Sequence, residues 1–462
     1  MINLYTMINF MMKDMFINHI RGSIIEIVFD NPMGLQVELK EKNKKFDAES
    51  LGARIYDLVE KLNLKECTVV PVLGEENPLT INDMAYIAHA YTLKAWKYDE
   101  FKEYPIYNCY FLSTEIEATQ RIYNQLNNLR DSIFFARTLI MKPPNVLSPK
   151  EMANMIRIKL QEYYNVKVLR QDEIESLGLR LLIGVSKGGQ EPCVVWIQRG
   201  NNPQFVFVGK GVTFDSGGIS LKPSLNMHHM TADMSGAAII AGVLNNVKDI
   251  PGSFCALLMI TENMVDGISQ KPGDIVRSFN NKSVEILNTD AEGRLILADA
   301  VAFAGYLKIP NIITIATLTG AMKIALGSEY AGLFSNNDEL AEKIIACNGE
   351  NEKVWRLPMD DAYLSYLKSD NANIANIAKP GMGAGSIVGA KFIEYFVSEG
   401  TNFAHIDIAN VIENSPLSSA TYEAWGIKLI SKFIANQIGN KNITKEENRN
   451  ISKTFEKLDG RI

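Results

Sequence analysis

The sequence predicts an α/β protein of two domains, a smaller N-terminal α/β domain and a larger C-terminal domain with a mixed central sheet flanked by helices. Three observations carry this. From Ser23 onward short β-like runs alternate with helical ones. The chain has 462 residues, too many for one core. Three prolines in the stretch KPPNVLSP, Lys142 to Pro149, stop a helical pattern and mark a hinge. The boundary is therefore placed near residue 140, giving domains 1–140 and 141–462.

In the first domain, SIIEIVF (Ser23 to Phe29) and TVVPVLG (Thr68 to Gly74) read as strands, with the helical LGARIYDLVEKLNL between them. INDMAYIAHAYTLKAWKY places Met84, Ile87, Ala88, Tyr91 and Ala95 on one helical face. His89 beside that face is read as a packed histidine, because no partner is spaced to join it as a ligand. Ala118 to Met141 reads as one long helix leading into the hinge.

In the second domain, QFVFVG (Gln204 to Gly209) is a buried strand, followed by a loop, KGVTFDSGGISLKP, from Lys210 to Pro223. Glycines there let the backbone turn tightly and approach an ion or substrate. Asp233 stands at the start of an alanine- and glycine-rich helix. SFCALLMITEN, NIITIATLTGA and NFAHIDIAN are further strands. VEIL (Val284 to Leu287) is read as a strand that ends in the acidic turn Asn-Thr-Asp and opens the helix LILADAVAFAGYL, at the carboxyl edge of a sheet.

Composition bounds the function. Hydrophobic content of 47% with 22% charged residues is ordinary for a soluble globular protein. A formal net charge of −6 and the lack of a basic stripe argue against nucleic acid as a partner. Five cysteines, odd in number, scattered and without CxxC spacing, argue against a disulfide framework and a thiolate metal site, and fit a reducing compartment. The Met-rich N-terminus has no basic leader region, Lys13 and Asp14 interrupt its apolar run, and no stretch is long enough to span a bilayer. The reading is cytoplasmic, with no membrane partner. The polar segment from Gly439 reads as a surface tail.

The chemistry concentrates in NTDAEGRLILADA, Asn288 to Ala300. An acid at a helix start is ordinarily a cap, but capping explains one aspartate and not Asp290, Glu292 and Arg294 together. Lys210, Asp215, Lys222 and Asp233 also stand at strand ends. Four converging carboxylates repel unless cations neutralise them, and two divalent ions are the common solution. A carboxylate-rich, cysteine-free set suits Zn²⁺ or Mn²⁺ and permits Mg²⁺ at one site. Lysine is an unusual ligand, but a neighbouring dication can lower its pKa enough to leave a neutral donor. Lys222 and Arg294 would then face the substrate, where positive charge stabilises a developing oxyanion.

The strings VGKGVTFDSGGISLKPSLNM, ADMSGAA and NTDAEGRLILADA, with KPPNVLSP, KPGDIV, ATLTGA and HIDIA, resemble the leucyl aminopeptidase family, the cytosol aminopeptidases, over roughly Arg137 to Ile438. The resemblance implies one metal held at Lys210, Asp215, Asp233 and Glu292, and a second at Asp215, Asp290 and Glu292. It implies that Lys222 stabilises the gem-diolate and that Arg294 holds a bicarbonate acting as general base. It also implies an apolar first-residue pocket with Met230, Thr317, Leu318 and Gly320, suited to leucine and other apolar residues. Short peptide substrates and a homo-oligomer, a hexamer with its sites facing an inner cavity, follow in the same way. The chain departs from the family in His228-His229, which replace an Asp-Leu pair and are read as surface histidines, in a short N-terminal domain, and in its polar tail. Two rivals remain: another two-metal hydrolase such as a phosphoesterase, and the DNA-binding or scaffold role of some relatives.

Overall fold

The computed structural model describes residues 24–28, 35–38, 47–72, 79–413 and 415–437. The readings of the Met-rich N-terminus and of the tail from Gly439 lie outside the described residues. The chain divides into two compact units, Met1–Phe134 with Asn414–Thr421, and Phe135–Glu413 with Tyr422–Ile462.

The first unit is built on strands β1 (Ile24–Val28), β2 (Leu35–Glu38), β3 (Glu66–Val72) and β4 (Asn108–Phe111), in the order β2-β1-β3-β4. The helix Ala48–Lys61 begins where the Asp47 carboxylate accepts from the Glu49 and Ser50 amides. Ile81–Ala95 begins with a reciprocal Thr80–Asp83 capping box. Met84, Ile87, Ala88 and Tyr91 are buried against Tyr56 and Val69, as the apolar stripe predicts, and His89 is fully buried. The single helix expected over 118–141 is two, Ile116–Gln125 and Asn127–Met141. The break falls at Leu126, in an asparagine-rich stretch, and asparagine is a poor residue for a helix interior.

The second unit carries β5 (Asn165–Leu169), β6 (Cys193–Arg199), β7 (Phe205–Asp215), β8 (Phe254–Asn263), β9 (Ile275–Arg277), β10 (Ser283–Glu285), β11 (Asn311–Ala316), β12 (Ala331–Ser335), β13 (Val354–Arg356), β14 (Ile374–Ala375) and β15 (Asn402–Asp407). Eight of them form a mixed sheet in the order β13-β12-β15-β11-β7-β8-β6-β5. Its four central strands, β15, β11, β7 and β8, are mutually parallel, so Asp407, Ala316, Asp215 and Asn263 all end at one edge. Both faces are covered. Val206, Val208 and Val212 pack with Leu295 and Ile296 of the helix Glu292–Tyr306. Gly209 and Gly211, on the alternate face, lie against the helix Ser235–Asn246: a Cβ on Gly209 would sit 2.7 Å from Ala237 Cα. Only glycine lets that helix approach so closely.

Two expectations change here. Lys210 is not in a loop: β7 continues through it to Asp215, pairing with β8 with a register shift between Val212 and Asp215. VEIL does not belong to the large sheet. Val284 and Glu285 lie in β10, in a small sheet of order β14-β10-β9 beside it. A strand of three residues cannot be assigned to a sheet by its pattern alone.

Candidate metal centre

The acidic turn and the helix after it meet the end of β7. Glu292 is the first residue of its helix, after Ala291, which makes no side-chain cap bond. Capping therefore does not account for Asp290, whose own amide donates to Asn288 Oδ1 at 2.8 Å. Gly293 is required: a Cβ there would lie 2.7 Å from Cε and 2.8 Å from Nζ of Lys210.

Lys210 Nζ lies 2.7 Å from Asp233 Oδ1 and 2.8 Å from Glu292 Oε1, and donates to the Thr317 carbonyl at 2.9 Å. Thr317 Oγ1 donates to Asp233 Oδ1 at 2.7 Å. The other oxygen of Asp233 is buried with no hydrogen-bond partner. Lys222 Nζ lies 2.7 Å from Asp215 Oδ2 and touches Asp290 Oδ1. Asp215, Asp290 and Glu292 each offer a carboxylate oxygen within 4.8 Å of the others. The loop between β7 and Lys222 turns at Gly217 (φ +89°) and Gly218 (φ +67°), conformations that favour glycine.

The electrostatics follow from burial and crowding. Burial would lower the Lys210 pKa, but Asp233, Glu292 and Asp215 outweigh it and hold the ammonium above the ordinary lysine value. For Lys222 burial is likewise outweighed, chiefly by Asp215. Asp290 is pushed up to about 6 by burial and by repulsion from Asp215, against Lys222. Asp233 is raised well above its usual value by burial, which the attraction of Lys210 does not cancel. Burial lowers Arg294 to about 10, opposed by Glu292 and Asp407.

Arg294 is buried. Its Nη1 donates to the Asn376 carbonyl at 2.9 Å, while its Nε–H has no partner. Asn376 also accepts the Leu287 amide at 2.8 Å and donates to the Asn288 carbonyl at 2.6 Å, fixing the turn. Asp407, at the end of β15, accepts from the Leu318 amide at 3.1 Å and the Thr319 hydroxyl at 2.7 Å.

A cavity of about 280 Å³ is lined by Lys210, Asp215, Lys222, Met230, Asp233, Asp290, Glu292, Arg294, Thr317, Leu318 and Gly320, so the metal, catalytic and first-residue-pocket candidates of the sequence border one space. Its wall also includes His229, Thr319, Ala409, Ile412, Glu413 and Tyr422, which sequence reasoning did not place there. His228 is exposed, as expected of a surface histidine, but His229 is not. On the 3₁₀ turn Met227–Ala232 the two imidazole rings lie with centroids 4.2 Å apart, and His229 reaches the Tyr422 hydroxyl at 2.6 Å.

The sequence is similar to those of known proteins. The family model described as "Cytosol aminopeptidase family, catalytic domain" matches residues 134–431. The chain is 38% identical over 418 residues to a "Probable cytosol aminopeptidase" of Rickettsia bellii (strain OSU 85-389), covering 86% of this chain and 83% of that one. It is 35% identical over 416 residues to the protein of the same description from Rickettsia canadensis, with the same coverage. With that from Rickettsia felis it shares 41% over 341 residues, covering 71% of this chain and 68% of that one. The chain belongs to the cytosol aminopeptidase family.

Proposed function

We propose that this protein is a metal-dependent aminopeptidase that releases the first residue of short peptides, leucine and other apolar residues foremost, with two divalent ions per subunit. The observation that carries the reading is the buried Asp233 oxygen without a partner, beside three further carboxylates that share one small space. A buried, unpaired carboxylate oxygen is costly, and a divalent cation fits both it and the surplus of four acids over two lysines and one arginine. Asp215, Asp290 and Glu292 would hold one ion. Lys210, Asp215, Asp233 and Glu292 would hold the other, with Lys210 a neutral donor once a dication takes over the charge its ammonium now balances. Zn²⁺ or Mn²⁺ suits this set, and Mg²⁺ is permitted at one site. When bound, the ions supply Lewis acidity at the peptide carbonyl.

The remaining groups define the protein's own part. Lys222, held charged chiefly by Asp215 and in contact with Asp290, brings a cation to the edge of the cluster, where a carbonyl oxygen gains negative charge. The unpartnered Nε–H of Arg294 suits a small anion, and Arg294 would hold the bicarbonate there. Met230, Leu318 and Gly320 give the first side chain an apolar surface, while the Thr317 hydroxyl is taken up by Asp233. A homo-hexamer belongs to the same reading.

The test is hydrolysis of leucine p-nitroanilide by metal-stripped protein, with and without added Mn²⁺ or Zn²⁺, beside Asp290→Ala. Metal-dependent release that is lost in the variant supports the reading. A folded, metal-loaded wild type that stays silent would sink it.

A further inference from the structure

Five carboxylates line the cavity, and four of them, Asp215, Asp233, Asp290 and Glu292, belong to the cluster with Lys210 and Lys222. The fifth, Glu413, stands apart. Its carboxylate meets Lys323 at 3.6 Å, and that lysine side chain is 70% exposed, so the contact is loose and screened by solvent. The backbone beneath it is fixed: Glu413 bridges antiparallel to Tyr422, and the Glu423 amide donates to the Ile412 carbonyl at 2.7 Å.

Tyr422 and His229 complete this wall. The phenol oxygen lies 2.6 Å from His229 Nδ1 and 3.2 Å from the His229 carbonyl. A carbonyl can only accept, and the phenol has one proton. Both contacts are satisfied when Tyr422 donates to the carbonyl and Nδ1–H donates to the phenol oxygen. In that tautomer Nε2 is an acceptor. The wall thus offers the Glu413 carboxylate with the His229 ring beside it. Ala409 and Ile412 add apolar surface to the same cavity. Acceptors beside an apolar strip suit a side chain with an apolar stem and a head rich in N–H donors.

We propose that Glu413, assisted by His229, is a specificity-determining residue that selects a cationic side chain, a lysine ammonium or an arginine guanidinium, on a substrate residue flanking the scissile bond. This rests on the aminopeptidase reading above. It adds a preferred substrate class to the apolar one.

The test is kcat/KM of the metal-loaded protein on two sets of substrates. One set varies the first residue (Leu, Met, Gln, Lys, Arg, Glu) on a common leaving group, and the other varies the second residue after Leu (Leu, Gln, Lys, Arg, Glu). The wild type should favour Lys or Arg over Gln by about fivefold to tenfold in one set, as one partly exposed charge-assisted contact provides, and that set identifies which residue meets Glu413. Glu413→Gln should bring the ratio close to one. Glu413→Lys should invert it, favouring Glu over Lys at that position, which a purely structural role would not do. Hydrolysis of Leu-Leu with no cation preference in either set, or a preference that survives Glu413→Gln, overturns this inference alone. Failure to hydrolyse any substrate overturns it together with the aminopeptidase reading.

Discussion

Asn263 Nδ2 donates to Asp215 Oδ1 at 2.8 Å and to the Thr289 carbonyl at 3.0 Å. One amide at the end of β8 therefore ties the end of β7 to the acidic turn. With the Gly217 amide also on Oδ1 at 2.9 Å, Oδ2 is left to face Lys222. Removing such an outer partner typically weakens metal binding by about 10- to 100-fold. Asn263→Ala should lower the affinity for Mn²⁺ or Zn²⁺ by that order, read by titration against a competing chelator.

Gly293→Ala tests the packing of Lys210. The added Cβ would fall within 2.9 Å of Cδ, Cε and Nζ of that side chain. The flexible end can yield, but only by leaving Asp233 and Glu292. Displacements of about 1 Å at a reacting centre cost roughly 100-fold in rate. The expected result is a loss of kcat/KM of that order with the melting temperature nearly kept. Full activity in the variant would show that Lys210 has room that the structure denies it.

Asp299 gives a pH signature away from the metal centre. Its carboxylate accepts the Leu181 and Leu182 amides at 2.8 and 3.1 Å and the Phe279 amide at 2.8 Å, yet burial pushes its pKa up to about 7. An unfolded aspartate titrates near 3.9. The folded chain thus keeps a proton that the unfolded chain releases, and stability from this group is highest at low pH and declines as pH rises from about 4 to about 7. The slope is at most about 1.4 kcal/mol per pH unit. Asp299→Asn should be destabilised by about 1–3 kcal/mol through its poorer set of acceptors. Its urea midpoint should also fall less steeply than the wild type's between pH 5 and 7.

Arg137 and Glu423 form a buried two-pronged pair, Nε to Oε1 at 3.0 Å and Nη2 to Oε2 at 2.6 Å. Breaking one side of such a pair costs about 3–5 kcal/mol because a charge is left buried. Arg137→Met should show a loss of that order in denaturant unfolding. Adding Glu423→Gln should recover part of it, and Arg137→Lys, lacking the planar fork, should fall between. An Arg137→Met variant as stable as the wild type would mean that water reaches Glu423.

Much of the architecture was legible in the sequence, because β7, β8, β11 and β15 are buried on both faces and read as apolar runs. The charged candidates stood out because Lys210, Asp215, Asp290 and Glu292 sit among glycines and strand ends, where charge is out of place. Their supports were not legible. Asn263, Asn376 and Asp407 are single polar residues whose partners lie 48, 88 and 89 positions away, and no local pattern announces such pairings. Tyr422 and Glu413 were hidden for the same reason. Capping was the ordinary alternative for Asp290, set aside because it explains one acid and not three residues, and the helix indeed starts two residues later, at Glu292.

The register shift in β7 has a further consequence. Side chains along a strand alternate, so residues 210 and 215, an odd number of positions apart, would ordinarily face opposite sides of the sheet. Between the pairs Val212–Thr261 and Asp215–Asn263, β7 spends three residues where β8 spends two. That extra residue reverses the parity and lets Lys210 and Asp215 serve one centre. The constraint is a count rather than an identity. Thr213 and Phe214 can vary in kind more freely than in number, and deleting either would separate two side chains that it leaves chemically intact.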